Sequence, residues 1–148
     1  MNKVRKPKKV FVPGPISPDF VASSIASHQS KTNIGAHAIF LGQIRADQKE
    51  SGVVSGIEYS AYEEMAEEAF HQIREEAFSK FDLICMHIYH SLGLVPTGEI
   101  SLFVFVSSPH RRVAFEASEY IVEQIKAHVP IFGKEITQAG DYSWKENI

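Results

Sequence analysis

Two long amphipathic segments constrain the fold more than anything else in this chain. Ala66, Ala69, Phe70, Ile73 and Ala77 recur at helical spacing between Glu63 and Lys80. Val113, Ala117, Tyr120, Ile121 and Ile125 do the same in a segment running to about His128. Each helix has one apolar stripe and needs a surface to cover. The carboxylates Glu63, Glu64, Glu67, Glu68, Glu75 and Glu76 form the solvated side of the first. The covered surface is supplied by strand-like runs: Val10 to Val12, Gly35 to Arg45, Val53 to Tyr62, Leu83 to His90 and Glu99 to Ser107. Turn-type residues separate them at Ala46 to Gly52 and Gly93 to Gly98. Ser17-Pro18 places a capping serine before a proline, so a shorter helix starts there, and Ser108-Pro109 repeats that signature before the last helix. Strands in pairs with helices between them predict an α+β sandwich, a mainly antiparallel sheet covered by helices.

At 148 residues and 44% hydrophobic, the chain suffices for one core. With no internal repeat or interior linker, the expected organisation is a basic tail over 1–9 and one domain over 10–148. The basic run Lys3, Arg5, Lys6, Lys8 and Lys9 reads either as a nucleic-acid arm or as a solvated terminus, and residue statistics favour the latter. A net charge of −3 gives no general attraction to nucleic acid or membrane. No apolar run approaches the roughly 20 residues of a membrane helix, and Pro13, Pro15 and Pro18 argue against a secretory signal. Cys85 is the sole cysteine, so an intrachain disulfide is excluded and a cytoplasmic location is expected. There is no Gly-rich strand-to-helix fingerprint for a dinucleotide or a P-loop. His87 and His90 are three apart on a strand and point to opposite faces; without a Cys/His cluster in the sequence, no metal is expected. Cys85 itself reads as a packed thiol.

The segment Ser107-Ser108-Pro109-His110-Arg111-Arg112 carries the chemistry. A helix start has unpaired N–H groups and partial positive charge, so basic residues there are locally unfavourable. They make sense if an anion binds, because N–H groups and guanidinium then converge on it. The plain alternative is that they point into solvent. Lys126, near the end of the same helix, is favourable for dipole reasons alone. Lys134 follows Pro130, and Arg45 ends a strand at a loop; neither is decisive by itself.

Taken in order, these residues resemble the large-subunit family of molybdopterin synthase, the MoaE type. The matching pieces include Gly35-Ala36-His37-Ala38-Ile39-Phe40-Leu41-Gly42-Gln43-Ile44-Arg45, Gly56-Ile57-Glu58-Tyr59, Ser107-Ser108-Pro109-His110-Arg111, Lys126, Pro130-Ile131-Phe132 and Lys134-Glu135. The resemblance implies a hammerhead-like sandwich that forms a homodimer and binds two small ubiquitin-like subunits as a heterotetramer. The small subunit's Gly-Gly C-terminus carries a thiocarboxylate, whose sulfur passes to cyclic pyranopterin monophosphate to build a dithiolene. No cofactor is implied. Arg45, His110 and Arg111 match the family's substrate-binding residues, while Lys126 and Lys134 match catalytic lysines. Two departures stand out: Gly133 occupies the position of a second functional lysine, and Ser91 that of an arginine. A non-catalytic scaffold for the same partner is the alternative reading; it would leave these cations scattered.

Arg111 and Lys126 are 15 positions apart on one helix, hence about 22 Å along its axis. One compact pocket cannot hold both head groups. Either the site is elongated, or a twofold interface brings His110 and Arg111 of one protomer near Lys126 of the other; the shared site is the expectation.

Overall fold

The computed structural model describes residues 8–145, so Lys3, Arg5 and Lys6 of the basic run lie outside the described residues. Eight strands and three helices follow one another as β1 (Phe11–Pro13), α1 (Pro18–His28), β2 (Ala36–Gln43), β3 (Gln48–Lys49), β4 (Gly52–Ala61), α2 (Glu63–Lys80), β5 (Cys85–Pro96), β6 (Ile100–Ser108), α3 (Arg111–His128), β7 (Ile131–Thr137) and β8 (Tyr142–Trp144). The sheet runs β2-β6-β5-β4-β7-β8, antiparallel at each of these pairings, with β1 added parallel to β5 and β3 hairpinned to β4. The expected α+β class is therefore observed.

Strand β5 joins two halves of this sheet. Its first part, Cys85 to His90, pairs with β6, and its last part, Gly93 to Pro96, pairs with β4. The strand continues through the Gly/Pro stretch that the sequence suggested was a turn, and the reversal is confined to Thr97 to Glu99. Gly93 makes this possible, since its φ of +86° is open to glycine but strained for other residues.

Side chains alternate across β5. Met86 and Ile88 face α2 and α3 in the main core, with Ala66, Phe70, Ile73, Ala114 and Ile121. On the other face, Tyr89 packs with Phe103, Phe105 and α1's Val21 in a second cluster. The layers are thus α1, sheet, and the α2–α3 pair. Ser17 caps α1, its Oγ accepting from Phe20 N at 3.1 Å, as its sequence suggested. The stripe on α2 also matches, whereas on α3 Ala114 rather than Val113 is fully buried.

The last helix begins later than the Ser108-Pro109 signature predicts. Ser108 completes β6, and its hydroxyl donates to the carbonyl oxygen of His110 while accepting from the His110 amide. These local bonds turn the chain, so His110 becomes the N-cap and Arg111 the first helical residue. Gly35 passes against this turn: a Cβ there would lie 2.0 Å from the carbonyl oxygen of Pro109. Gly35→Ala should therefore displace the start of α3 and lower the unfolding free energy by about 1–3 kcal/mol, measured by denaturant titration. Wild-type stability in that variant would contradict the contact.

Both strand histidines are held as neutral rings. Burial first, then nearby Lys8, His28, Arg74 and Lys31, pushes His87 down to about 4. Burial likewise takes His90 to about 4, against a bond to the Ser91 carbonyl and with smaller contributions from Lys126 and Lys145. An unfolded histidine titrates near 6.5. Stability from excluding these protons is complete above that pH and is lost as pH falls through about 4. The melting temperature should drop by several degrees from pH 7 to pH 5, and His87→Asn should flatten part of the drop. A melting temperature constant over that range would refute this.

Candidate functional site

Two adjoining clefts meet at the C-terminal end of α3. One, of about 420 Å³, lies between the 125–133 segment and the end of β8, with Tyr59, His90, Lys126, Phe132, Gly133 and Lys145 in its wall. The other, of about 370 Å³, is bounded by Phe40 to Gln43, Arg45, Tyr59, Lys126, Glu135 and Lys145. Tyr59, Lys126 and Lys145 belong to both, so the two form one elongated site with Lys126 at the join.

Each wall residue is placed by an identifiable local cause. Val129 and Pro130 end α3, which fixes Lys126 half-buried in its last turn. Strand β7 pairs with β4 so that Gly133 lies opposite Tyr59, and Glu135 opposite Ile57. These four share the cleft face. The Tyr59 hydroxyl donates to Ser101 Oγ at 3.3 Å, and its pKa is raised by burial and by Glu135, against that bond. Glu135, almost fully buried, pairs with Lys49 Nζ at 3.5 Å. His90 donates from Nδ1 to the Ser91 carbonyl at 2.8 Å, the tautomer fitting an acceptor there, and its ring meets Tyr59 edge-on at 4.9 Å.

Lys126 is the electrostatic centre. Burial lowers its pKa, the positive charge of Lys145 lowers it further, and Glu123 opposes both. A lysine with a depressed pKa is suited to hand protons on, as well as to stabilise negative charge. Arg45, highly exposed, meets Asp47 at 3.3 Å on the rim of the second cleft.

His110 and Arg111 stand elsewhere. With Gly35, Pro109 and Phe115 they border a separate shallow depression at the start of α3, whose first turn contains no acidic residue and no side-chain cap, and where Arg112 pairs with Glu116 one turn on at 3.2 Å. One chain thus brings Arg45 and Lys126 together and leaves His110 and Arg111 at the far end of the same helix. Lys134 faces away from the cleft, its Nζ 4.0 Å from the centre of the Tyr142 ring.

These features can be compared with known proteins. Residues 15–128 match the family model described as MoaE protein. The chain belongs to the MoaE family. The molybdopterin synthase catalytic subunit of Pyrococcus abyssi is 37% identical over 128 residues, covering 86% of this chain and 85% of that one. The structure of molybdopterin synthase from Staphylococcus aureus superposes with a TM-score of 0.78 at 32% identity, covering 93% and 96% of the two chains. A complex of subunits 1 and 2 of the molybdopterin-converting factor from Helicobacter pylori shares the fold at TM-score 0.77 and 20% identity, covering 93% and 89%.

This MoaE-family chain also contains what its sequence did not disclose. Lys145 reaches the cleft because β7 and β8 form a hairpin, and neither strand had a clear pattern of its own. A His/Cys group forms as well: His28, Cys85 and His87 place their ligand atoms within 4.8 Å of one another. Position 28 comes from α1, far from the strand pair in sequence. The His28 and His87 Nε2 atoms share a hydrogen bond of 2.9 Å, and Lys31 Nζ donates to Cys85 Sγ at 2.9 Å. Lys8, Lys31 and Arg74 all act on His87, and that positive field opposes a metal cation. The trio is better suited to tying α1 to the sheet.

Proposed function

We propose that this protein is the catalytic subunit of a molybdopterin synthase, passing sulfur from the thiocarboxylated C-terminus of a small ubiquitin-like partner to cyclic pyranopterin monophosphate. The observation that carries the reading is the gathering of Lys126 and Arg45 on one elongated cleft. A scaffold without chemistry would need no depressed lysine at that point. The family relatives bear the name of this catalytic subunit, and the Helicobacter pylori structure is a two-subunit complex.

Two exposed apolar regions have the properties needed for the partners. Around the first cleft, Tyr62, Phe132 and Trp144 remain exposed, and Tyr62 meets Phe132 edge-on at 5.3 Å. Such a rim fits a protein partner whose tail enters beside it. The other region lies along β2, an edge of the sheet, where Ile39, Phe40 and Leu41 are exposed together with Phe115 of α3. An apolar edge strand is an invitation to pairing.

A second copy paired there resolves the spacing of the cations. Strand β2 begins at Ala36, beside Ser108 and the start of α3, and finishes at Gln43, on the second cleft. Seven residue steps of strand span about 23 Å. The two ends are thus separated by nearly the same distance as Arg111 and Lys126 on α3. Antiparallel pairing of β2 with its twofold copy sets the first end of one protomer against the last end of the other. His110 and Arg111 of one protomer then complete the Arg45–Lys126 cleft of its partner.

In the resulting reaction Arg45, His110 and Arg111 hold the cyclic phosphate and neutralise charge as it opens. The thiocarboxylate sulfur bonds to a side-chain carbon of the pterin as a carbon–oxygen bond at that carbon breaks. The oxygen leaves as the opened phosphate ester's oxygen in one transfer and as water in the other. The product is a thioester to the partner's tail. Water then attacks its acyl carbon, the C–S bond breaks, and the sulfur stays on the pterin while the tail leaves as a carboxylate. Lys126, at the join of the clefts, stabilises the tetrahedral oxyanion and exchanges the proton. Two such transfers make the dithiolene. No step requires a thiol of this chain, and its one cysteine, Cys85, is buried beside Lys31, outside the walls of both clefts. A cytoplasmic location accords with this chemistry, and no helix among the described residues is long and apolar enough to cross a membrane.

The assay is dithiolene formation from thiocarboxylated small subunit and cyclic pyranopterin monophosphate. Lys126→Ala should lower turnover by about 100-fold or more while keeping the fold; near-normal turnover would eliminate its assigned role. Arg111→Ala and Lys126→Ala subunits should each be inactive alone and regain activity when mixed, because one of the two sites in a mixed dimer is intact. Failure of mixed dimers to recover activity would count against the shared site.

A further inference from the structure

The position of Gly133 leaves a gap in the cationic wall of the cleft, and another residue stands beside it. Gly133 is opposite Tyr59 on the cleft face of β7. A Cβ built there would lie 3.0 Å from Ile57 Cγ2, 3.3 Å from Tyr59 Cε1 and 3.5 Å from Lys145 Cβ. The β7–β8 ladder explains the last contact. Lys134 is opposite Trp144, and the Lys145 amide donates to the Gly133 carbonyl at 2.7 Å, so 133 and 145 form the next pair. Directly opposed residues project from the same face of a sheet. Lys145 therefore has its stem over the glycine and its side chain on the wall of both clefts, with Lys126. Lys134, one step along, goes to the other face, where its ammonium is over the Tyr142 ring.

We propose that Lys145 is a second functional lysine of the transfer cleft, delivered by β8 across the strand pair, with its ammonium receiving the anionic end of the partner's tail. This inference rests on the sulfur-transfer reading and extends it to a residue outside the Pro130–Glu135 motif. The arrangement is self-consistent sterically: Ile57 and Tyr59 crowd a Cβ at 133, while the Lys145 stem lies at ordinary contact distance above the bare glycine. It is also consistent electrostatically. The groups around Lys126 are Glu123 of its own helix, His90 of β5, Tyr59 of β4, Glu135 of β7, Arg45 after β2 and Lys145. Glu123 favours its charged form, while burial and Lys145 disfavour it. Lys145 thus does two things, attracting the thiocarboxylate and keeping Lys126 readier to release its proton.

The test compares Lys145→Ala, Lys145→Arg, Lys134→Ala and the double variant Gly133→Lys/Lys145→Ala, each as the complex with thiocarboxylated small subunit. Lys145→Ala should lose about tenfold or more in turnover, Lys145→Arg should recover part of it, and Lys134→Ala should stay within about twofold. The double variant, which moves the ammonium across the ladder, should exceed Lys145→Ala. NMR titration of the Lys126 side chain, without substrate, should show its pKa higher in Lys145→Ala than in wild type, a change that a purely structural role would not produce. Wild-type turnover and an unmoved Lys126 titration in Lys145→Ala would overturn the proposal, as would a loss confined to Lys134→Ala. If wild type itself made no dithiolene, the sulfur-transfer reading would fail, and the NMR titration would still decide whether the two lysines are coupled.

Discussion

The divided pairing of β5 is the constraint on which the rest of the structure depends. Over its 12 residues this strand does not keep one set of neighbours. Here the partner opposite β6 changes from β1 at His90 to Leu92 to β4 from Gly93 onward. The helices cover only the first half. Beyond the change, β4 carries β7 and β8 outward, and the end of α3 meets this second half at Lys126. The cleft opens at that join, with His90 and Tyr59 on either side of the change. Its location thus follows from main-chain hydrogen bonding, and the polar side chains decorate a cavity that the ladder had already created.

That origin explains how several cations can share one wall. Mutual repulsion and burial both disfavour charged Lys126, as its lowered pKa records. The cost is borne by elements with apolar anchors elsewhere: α3 is fixed through Ala114, Ala117, Ile121 and Ile125, and β7 through its long ladder with β4. Glu135 is buried nearby but engaged by Lys49, which limits its capacity to neutralise the lysines. The unfavourable field is therefore available to an incoming anion. A thiocarboxylate or a phosphate would relieve repulsion that the folded scaffold sustains, and this is how preorganised charge contributes to binding and to transition-state stabilisation.

The sequence made the long, strongly periodic elements legible. The bounds of α2 coincide with Glu63–Lys80, and the capping serine before α1 works through a side-chain bond that needs only local geometry. The start of α3 was misread by two residues because the Ser108 hydroxyl serves the 108–110 turn in place of a helix cap. The β5 strand was shortened because Gly93 and Pro96 read as turn residues, whereas Gly93 accommodates a change of partner within a continuing strand. In the site, Lys126 and Arg45 were legible only through the resemblance to the family's ordered motifs, and they prove to share a cleft. Lys145 was not, since its position depends on the register of a hairpin whose strands have little alternation. The His28–Cys85–His87 group was missed for a related reason: Cys85 and His87 share a strand face, but α1 supplies the third member only after folding.

Hairpin register also suggests why the lysine can move without loss of the cleft. In an antiparallel ladder, two directly opposed positions project from one face, so a functional group can pass from one strand to the other and remain over nearly the same spot. An adjacent residue on the same strand cannot substitute, because the pleat sends it to the opposite face. Lys134 is next to Gly133 in sequence yet directed at Tyr142, while Lys145 is 12 positions away and lies over the glycine. Sequence proximity and spatial equivalence therefore point to different residues here. The pleat decides between them, and it selects the lysine that no linear motif would have named.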